Sequence, residues 1–230
     1  EAAHGCDFIV HLAALLTTDC AANPVLGAQV NLVGTLNVFE AARSAGITRI
    51  AYASSAGVFA PGDGDQPRPI THYGAFKLAC EGCARAYWQA SGISSIGFRP
   101  LIVYGPGRES GLTAGPSIAC REAAAGRPYT IGYRGRSDMI FVDDVAAAFE
   151  AAVIKPFEGA HAFTLCGEQA DVPEIVAGIR QQAPGAAIDW AGPALPMAEA
   201  ITPGDTEPVL GALPRTSLAE GLARTIAHYR

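Results

Sequence analysis

The stretch Tyr73-Gly-Ala-Phe-Lys77 sets a tyrosine four residues before one of the two lysines in a 230-residue chain whose cations are otherwise arginines. Four residues is about one helical turn, so on a helix both polar tips reach the same pocket. A free phenol ionises near ~10, too high for a base at neutral pH, and a neighbouring ammonium favours the phenolate. The pair can therefore do acid/base chemistry. The structural alternative is that Tyr73 packs at a helix start while Lys77 points to solvent. A hydroxyl donor comes from the strand-like run Arg-Ile-Ala-Tyr-Ala-Ser (49 to 54), which delivers Ser54 and Ser55 to its C-terminal end, where open α/β sheets bind ligands. Serine could hold a substrate oxygen while tyrosine takes its proton.

The elements that must position these groups follow from hydropathy. Residues 7–12 and 49–54 are short, apolar and β-branched, as buried strands are, and 25–46 has helical spacing closed by Gly46. From Tyr73 to Ala90, Phe76, Ala79, Cys80, Cys83, Ala84, Tyr87 and Trp88 mark one buried helical face ending at Gly92. A strand is expected at 95–103, a helix near 113–126, strands at 129–132 and 139–142, and a helix at 143–154. Beyond these come a strand at 161–166, a helix at 172–182, a Pro- and Gly-rich loop at 191–214 and a last helix at 216–229. This alternation predicts an α/β fold, a parallel sheet flanked by helices.

Composition narrows the partners. The net charge of −6 is spread without a basic stripe, which argues against nucleic acid, and no run of 18 apolar residues suggests a membrane span. The six cysteines lie mostly in apolar segments and read as small core hydrophobes; with no His-x-x-x-His, no metal site is expected. With no charged-then-apolar leader at the start, the reading is a cytoplasmic protein.

Several motifs occur together in order: His-Leu-Ala-Ala (11 to 14), Asn-Leu-Val-Gly-Thr (31 to 35), Tyr-Ala-Ser-Ser-Ala-Gly-Val-Phe (52 to 59), Tyr-Gly-Ala-Phe-Lys (73 to 77), Arg-Pro-Leu-Ile-Val-Tyr-Gly-Pro-Gly (99 to 107) and Ile-Phe-Val-Asp-Asp-Val-Ala (140 to 146). Jointly they resemble the extended short-chain dehydrogenase/reductase family, the NAD-dependent epimerase/dehydratase group. The resemblance implies Ser55, Tyr73 and Lys77 as catalytic residues, with Lys77 also holding the nicotinamide ribose. It implies cofactor contacts from Leu12, Ala13, Ala14, Asn31 and Ser54, and from Pro100, Leu101, Ile102 and Val103 beside the nicotinamide. Ser55, His72, Arg108 and Arg136 are candidates for the substrate. The expected activity is NAD- or NADP-dependent oxidoreduction or epimerisation at a hydroxyl carbon of a sugar, sugar acid or nucleotide sugar. The resemblance also implies a Rossmann-type α/β fold, with residues 1–100 the remainder of the dinucleotide-binding domain and 101–230 a mixed region holding a small C-terminal substrate-binding part and returning sheet elements, and a homodimer pairing through 25–45 and 73–91. The rival reading is a non-catalytic or regulatory protein that keeps the fold.

The chain also departs from the pattern. Relatives that act as 4,6-dehydratases carry an acidic pair after the catalytic hydroxyl residue, where this chain has Ala56 and Gly57. The resemblance implies a Gly-x-x-Gly-x-x-Gly loop that is not found; Gly105, Gly107 and Gly111 follow the acid/base helix with the wrong spacing, and Gly-Asp-Gly-Asp (62 to 65) reads as a turn. The expectation is an N-terminally truncated piece lacking a strand-helix-strand-helix-strand half of about 60 residues or more, with weakened NAD(P) binding and an open apolar strand edge. Ser137 rather than Arg precedes Asp138, which leaves Arg108, Arg134 or Arg136 to meet any phosphate. His11 reads as a satisfied core residue, and Asp143 and Asp144 as favourable charges at a helix N-terminus.

Overall fold

Four parallel strands form the frame of the site. The computed structural model describes residues 2–62, 66–195 and 201–230; positions 63–65 of the expected Gly-Asp-Gly-Asp turn, and part of the 191–214 loop, lie outside the described residues. In chain order the elements are β1 (Ile9–His11), α1 (Thr17–Ala22), α2 (Pro24–Gly27), a π-helical segment (Ala28–Val33), α3 (Gly34–Ala45), β2 (Arg49–Ala53), α4 (His72–Ser91), β3 (Ser94–Pro100) and β4 (Ile102–Tyr104). Then follow α5 (Gly115–Ala124), β5 (Tyr129–Ile131), β6 (Arg136–Phe141), α6 (Val142–Ile154), β7 (Ala160–Leu165), β8 (Glu168–Asp171), α7 (Val172–Gln182), β9 (Ile188–Trp190), α8 (Glu207–Leu210) and α9 (Leu218–His228). The main sheet has the order β1-β2-β3-β7, all parallel.

Both faces of this sheet are covered, and the two-residue strand period sorts its side chains. Ile50 and Tyr52 pack with Phe39, Ala42, Cys80 and Ala84 of α3 and α4. Ala51, Ile96 and Phe98 face the other way, onto Ala148 and Ala152 of α6. A second layer pairs β4 parallel with β6 and β6 antiparallel with β8, and β5 pairs with β9. Its core joins Ile102, Tyr104, Met139 and Phe141 to α5, α7 and α9. β1 is an edge strand among the described residues, with Val10 42% and Leu12 60% exposed.

The expected strand over 95–103 is two strands. Pro100 has no backbone N–H to continue the ladder, so β3 ends there and the chain passes to the second sheet as β4. The expected helix over 25–46 is one continuous path interrupted by the π-helical turn, closed by left-handed Gly46 as anticipated. α1, β8, β9 and α8 are too short for a hydrophobic period to reveal.

Two contacts fix α4 against β2 and β3. At Gly74 a Cβ would lie 2.1 Å from the Gly57 carbonyl oxygen, so only glycine lets the start of α4 touch the turn after β2. Farther along, Arg99 Nε donates to Glu81 Oε1 at 2.7 Å, a second Arg99 nitrogen donates to Glu81 Oε2, and Ser54 Oγ donates to Oε1 at 2.5 Å. Glu81 and Arg99 side chains are 8% and 14% exposed. At the far side, Asp144 accepts from Thr216 N and Oγ1, both at 2.7 Å, and ties the segment before α9 to the start of α6.

These contacts predict measurable costs. Gly→Ala inside a helix normally gains about 1 kcal/mol, and Gly82→Ala, with nothing within 4 Å, should show that gain. Gly74→Ala should instead destabilise by about 1–3 kcal/mol through overpacking, both read from urea unfolding. Equal effects of the two substitutions would contradict the close approach. Glu81→Ala strands the Arg99 guanidinium and should cost about 3–5 kcal/mol; a change below about 1 kcal/mol would remove the ion pair's structural role.

Candidate active site

Tyr73, Lys77 and Ser55 meet at the C-terminal end of β2. Thr71 caps α4 by accepting from Gly74 N at 3.0 Å, so the first turn of the helix carries Tyr73 beside the turn that follows β2. Ser55 has extended backbone and starts a short 3₁₀ turn, Ala56–Val58, its Oγ accepting from Gly57 N at 3.0 Å. The Ser55 hydroxyl and the Tyr73 ring both stand beside Gly57, on the same side of the turn. Lys77 is 5% exposed; its Nζ donates to the Ala53 carbonyl at 2.6 Å and stands 5.6 Å from the Tyr73 ring centroid. It does not point to solvent.

The electrostatics differ from the simple expectation that Lys77 lowers the Tyr73 phenol. Burial raises the phenol above its ordinary value, and this outweighs the lowering by the neighbouring Ser55 hydroxyl and the more distant charge of Arg108. Burial likewise lowers the Lys77 ammonium, while the Cys80 and Cys20 thiols oppose that change. His11 Nε2 pairs with Thr35 Oγ1 at 3.0 Å, and burial, then the charge of Lys77, lowers its imidazole.

A pocket of about 160 Å³ opens beside these groups, lined by Ser55, Gly57, Tyr73, Arg108 and Thr113 together with apolar residues from several loops. Of the residues expected at a cofactor, Leu12 and Ala13 are exposed at the end of β1 and Ala14 is half-buried. Leu101 lines the pocket, Pro100 is half-buried, Val103 gives its carbonyl to Arg108, and the Ile102 side chain is fully buried in the second core. Ser54 turns away from the pocket to Glu81. Asn31 is buried in the π-helical turn, and its amide holds both Leu15 backbone groups, accepting from N at 2.7 Å and donating to O at 3.0 Å. It thereby fixes the loop that carries Leu16 and Thr17 to the pocket rather than offering its amide to a ligand.

Of the substrate candidates, Ser55 and Arg108 line the pocket. His72 is exposed beside the Phe76 ring, and Arg136 is spent on Glu174 at 3.3 Å and the Gln169 carbonyl, so neither is among the lining residues. Asp143 pairs with Arg224. No group of three or more His, Cys, Asp or Glu side chains could hold a metal ion, and no helix is long and apolar enough to cross a membrane, among the described residues. The Glu81–Arg99 pair was not anticipated; its signal was Glu81 falling one turn after Lys77 on α4.

With this geometry in hand, comparison with known proteins is direct. The family model described as NAD dependent epimerase/dehydratase family matches residues 1–166. A UDP-glucose 4-epimerase of Mycolicibacterium smegmatis is 32% identical over 246 residues, which cover 97% of this chain and 76% of that protein. Among solved structures, MoeE5 in complex with UDP-glucuronic acid and NAD is similar at 27% identity and a TM-score of 0.84, over 98% of this chain and 79% of that one. The UDP-glucose 4-epimerase of Thermus thermophilus in complex with NAD gives 26% identity and a TM-score of 0.83, over 97% and 77%. The fold, the ordered motifs and a match over most of its length make this chain a member of the NAD-dependent epimerase/dehydratase family, of the extended short-chain dehydrogenase/reductase type.

Proposed function

We propose that this chain provides the acid/base and substrate site of an NAD(P)-dependent oxidoreductase or epimerase acting at a hydroxyl carbon of a sugar, sugar acid or nucleotide sugar. The observation that carries the reading is that Ser55 and Tyr73 line one pocket while buried Lys77 stands one helical turn along α4, its ammonium on the Ala53 carbonyl. Two similar solved proteins hold NAD, and the residues here suit its nicotinamide half. Lys77 gives one N–H to Ala53, and its other two donors have no hydrogen-bond acceptor among the described residues, which suits a ribose diol. Leu12 to Ala14 and Pro100 to Val103 would flank the cofactor, Ile102 from behind as packing. When bound, the dinucleotide supplies a hydride acceptor.

In the proposed step Ser55 donates a hydrogen bond to the substrate carbinol oxygen, and Tyr73, as phenolate, accepts the carbinol proton. The charge of Arg108 favours that phenolate, and Lys77 keeps α4 seated on β2. In the reverse direction Tyr73 returns the proton to the carbonyl oxygen. Residues 1–100 then carry the acid/base pair and much of the cofactor side, while 101–230 adds the substrate contacts Arg108, Leu112 and Thr113 and returns β7 to the main sheet. Exposed Val25, Leu26 and Val33 on the α2–α3 path support pairing of two copies through α2–α3 and α4. Light scattering should give twice 23.7 kDa, and a monomer at micromolar concentration would reject that pairing.

The test of the chemistry is turnover of polyols and sugar acids with NAD+ or NADP+. Tyr73→Phe should lower kcat about 10²–10⁴-fold with little change in cofactor affinity. Because burial raises the phenol, the phenolate fraction at neutral pH is small and grows tenfold per pH unit, so wild-type kcat/KM should climb from pH 7 to 9. The Phe variant should lose that slope. Undiminished turnover in the variant removes Tyr73 as the acid/base.

A further inference from the structure

The pocket holds a cation without a counter-ion. Arg108 donates from Nη1 to the Val103 carbonyl and from Nη2 to Thr113 Oγ1 at 2.6 Å, both neutral acceptors. No carboxylate pairs with it among the described residues, whereas Arg99, Arg121, Arg127, Arg136 and Arg224 each meet one. Its anchors hold the guanidinium in place, with the phenols of Tyr133 and Tyr73 nearby. Tyr133 is 3% exposed and its hydroxyl has no hydrogen-bond partner among the described residues. Thr113, 8% exposed, accepts from Arg108 and so keeps its own hydroxyl hydrogen to donate. A half-buried guanidinium that is rigidly anchored and uncompensated is a site for an anion.

The rest of the cavity limits what that anion belongs to. Arg108 and Thr113 share it with Ser55 and Tyr73, and Leu16, Phe59, Leu112 and Leu195 make apolar walls. One guanidinium balances one negative charge, and about 160 Å³ is below the ~300–1,000 Å³ of drug-sized ligand sites. We infer that the substrate is a small hydroxy acid of the sugar-acid class, its carboxylate on Arg108 and Thr113 and its reacting carbinol at Ser55 and Tyr73. This rests on the proposed reading for the carbinol, but the carboxylate contact stands on Arg108 alone. Planar guanidinium suits a carboxylate because two parallel N–H groups meet two oxygens.

The test is calorimetric titration of the full chain, without cofactor, with D-gluconate and D-glycerate against the matched neutral polyols sorbitol and glycerol, and with inorganic phosphate. At least one acid should bind about tenfold or more tightly than its polyol, as a charge-assisted hydrogen bond provides. Arg108→Gln should erase that preference, and Arg108→Lys should keep part of it. Equal affinity for acid and polyol in the wild type, or no binding by either acid at millimolar concentration, overturns the inference even if Arg108→Gln fails to fold. Tighter binding of phosphate than of both acids overturns it in favour of a phosphorylated ligand. Loss of NADH affinity in Arg108→Gln with acid preference intact overturns it too, since the guanidinium would then serve the dinucleotide. Acid preference with undiminished turnover in Tyr73→Phe would sink the acid/base reading and leave this one standing.

Discussion

A single buried ammonium organises the C-terminal end of β2. Lys77 is 5% exposed and meets no carboxylate among the described residues; its charge is held by the Ala53 carbonyl at 2.6 Å. Burying a charge costs several kcal/mol unless polar partners replace water, so α4 cannot rotate or slide without exposing the cost in full. That constraint sets the azimuth of α4, and one turn earlier it sets Tyr73. The close approach at Gly74 and the Glu81–Arg99–Ser54 network fix the same helix from its two other contacts, with β2 and β3. Ser55 is then bracketed: Ser54 is tied to Glu81 on one side, and Gly57 donates to the Ser55 hydroxyl oxygen on the other.

Much of this arrangement was legible in the chain because it depends on short-range periodicity. The i, i+4 relation of Tyr73 and Lys77, the glycine stops at Gly46 and Gly92, and the apolar strands all follow from local rules. What escaped reading depends on contacts between distant segments. Arg99 and Glu81 are 18 residues apart and look like ordinary surface charges until the parallel register places Phe98 beside Ala53. The break of the 95–103 strand at Pro100 shows the same limit, since a local apolar run does not say which sheet a residue joins. Arg136 illustrates the converse: a plausible anion binder by type is consumed by Glu174 and a backbone carbonyl, while Arg108, with neutral anchors only, faces the pocket.

Burial gives the site its chemistry and sets its working range. A phenol raised by desolvation is a poor base at neutral pH but a strong one once ionised, and hydroxyl and guanidinium neighbours offset part of the rise. Arg108 shares the pocket with Tyr73 and its charge acts on the phenol, so an anion placed on that guanidinium would withdraw part of the positive field from Tyr73.

The central claim is that Tyr73 titrates as a buried phenol within a cationic pocket. The direct measurement is a pH titration of the Tyr73 Cζ resonance by carbon NMR in protein labelled at tyrosine Cζ, assigned with Tyr73→Phe, before and after addition of NAD+. The account predicts a midpoint above ~10 in the free chain that moves down when NAD+ is added. A midpoint at the ordinary phenol value, indifferent to NAD+, would contradict it.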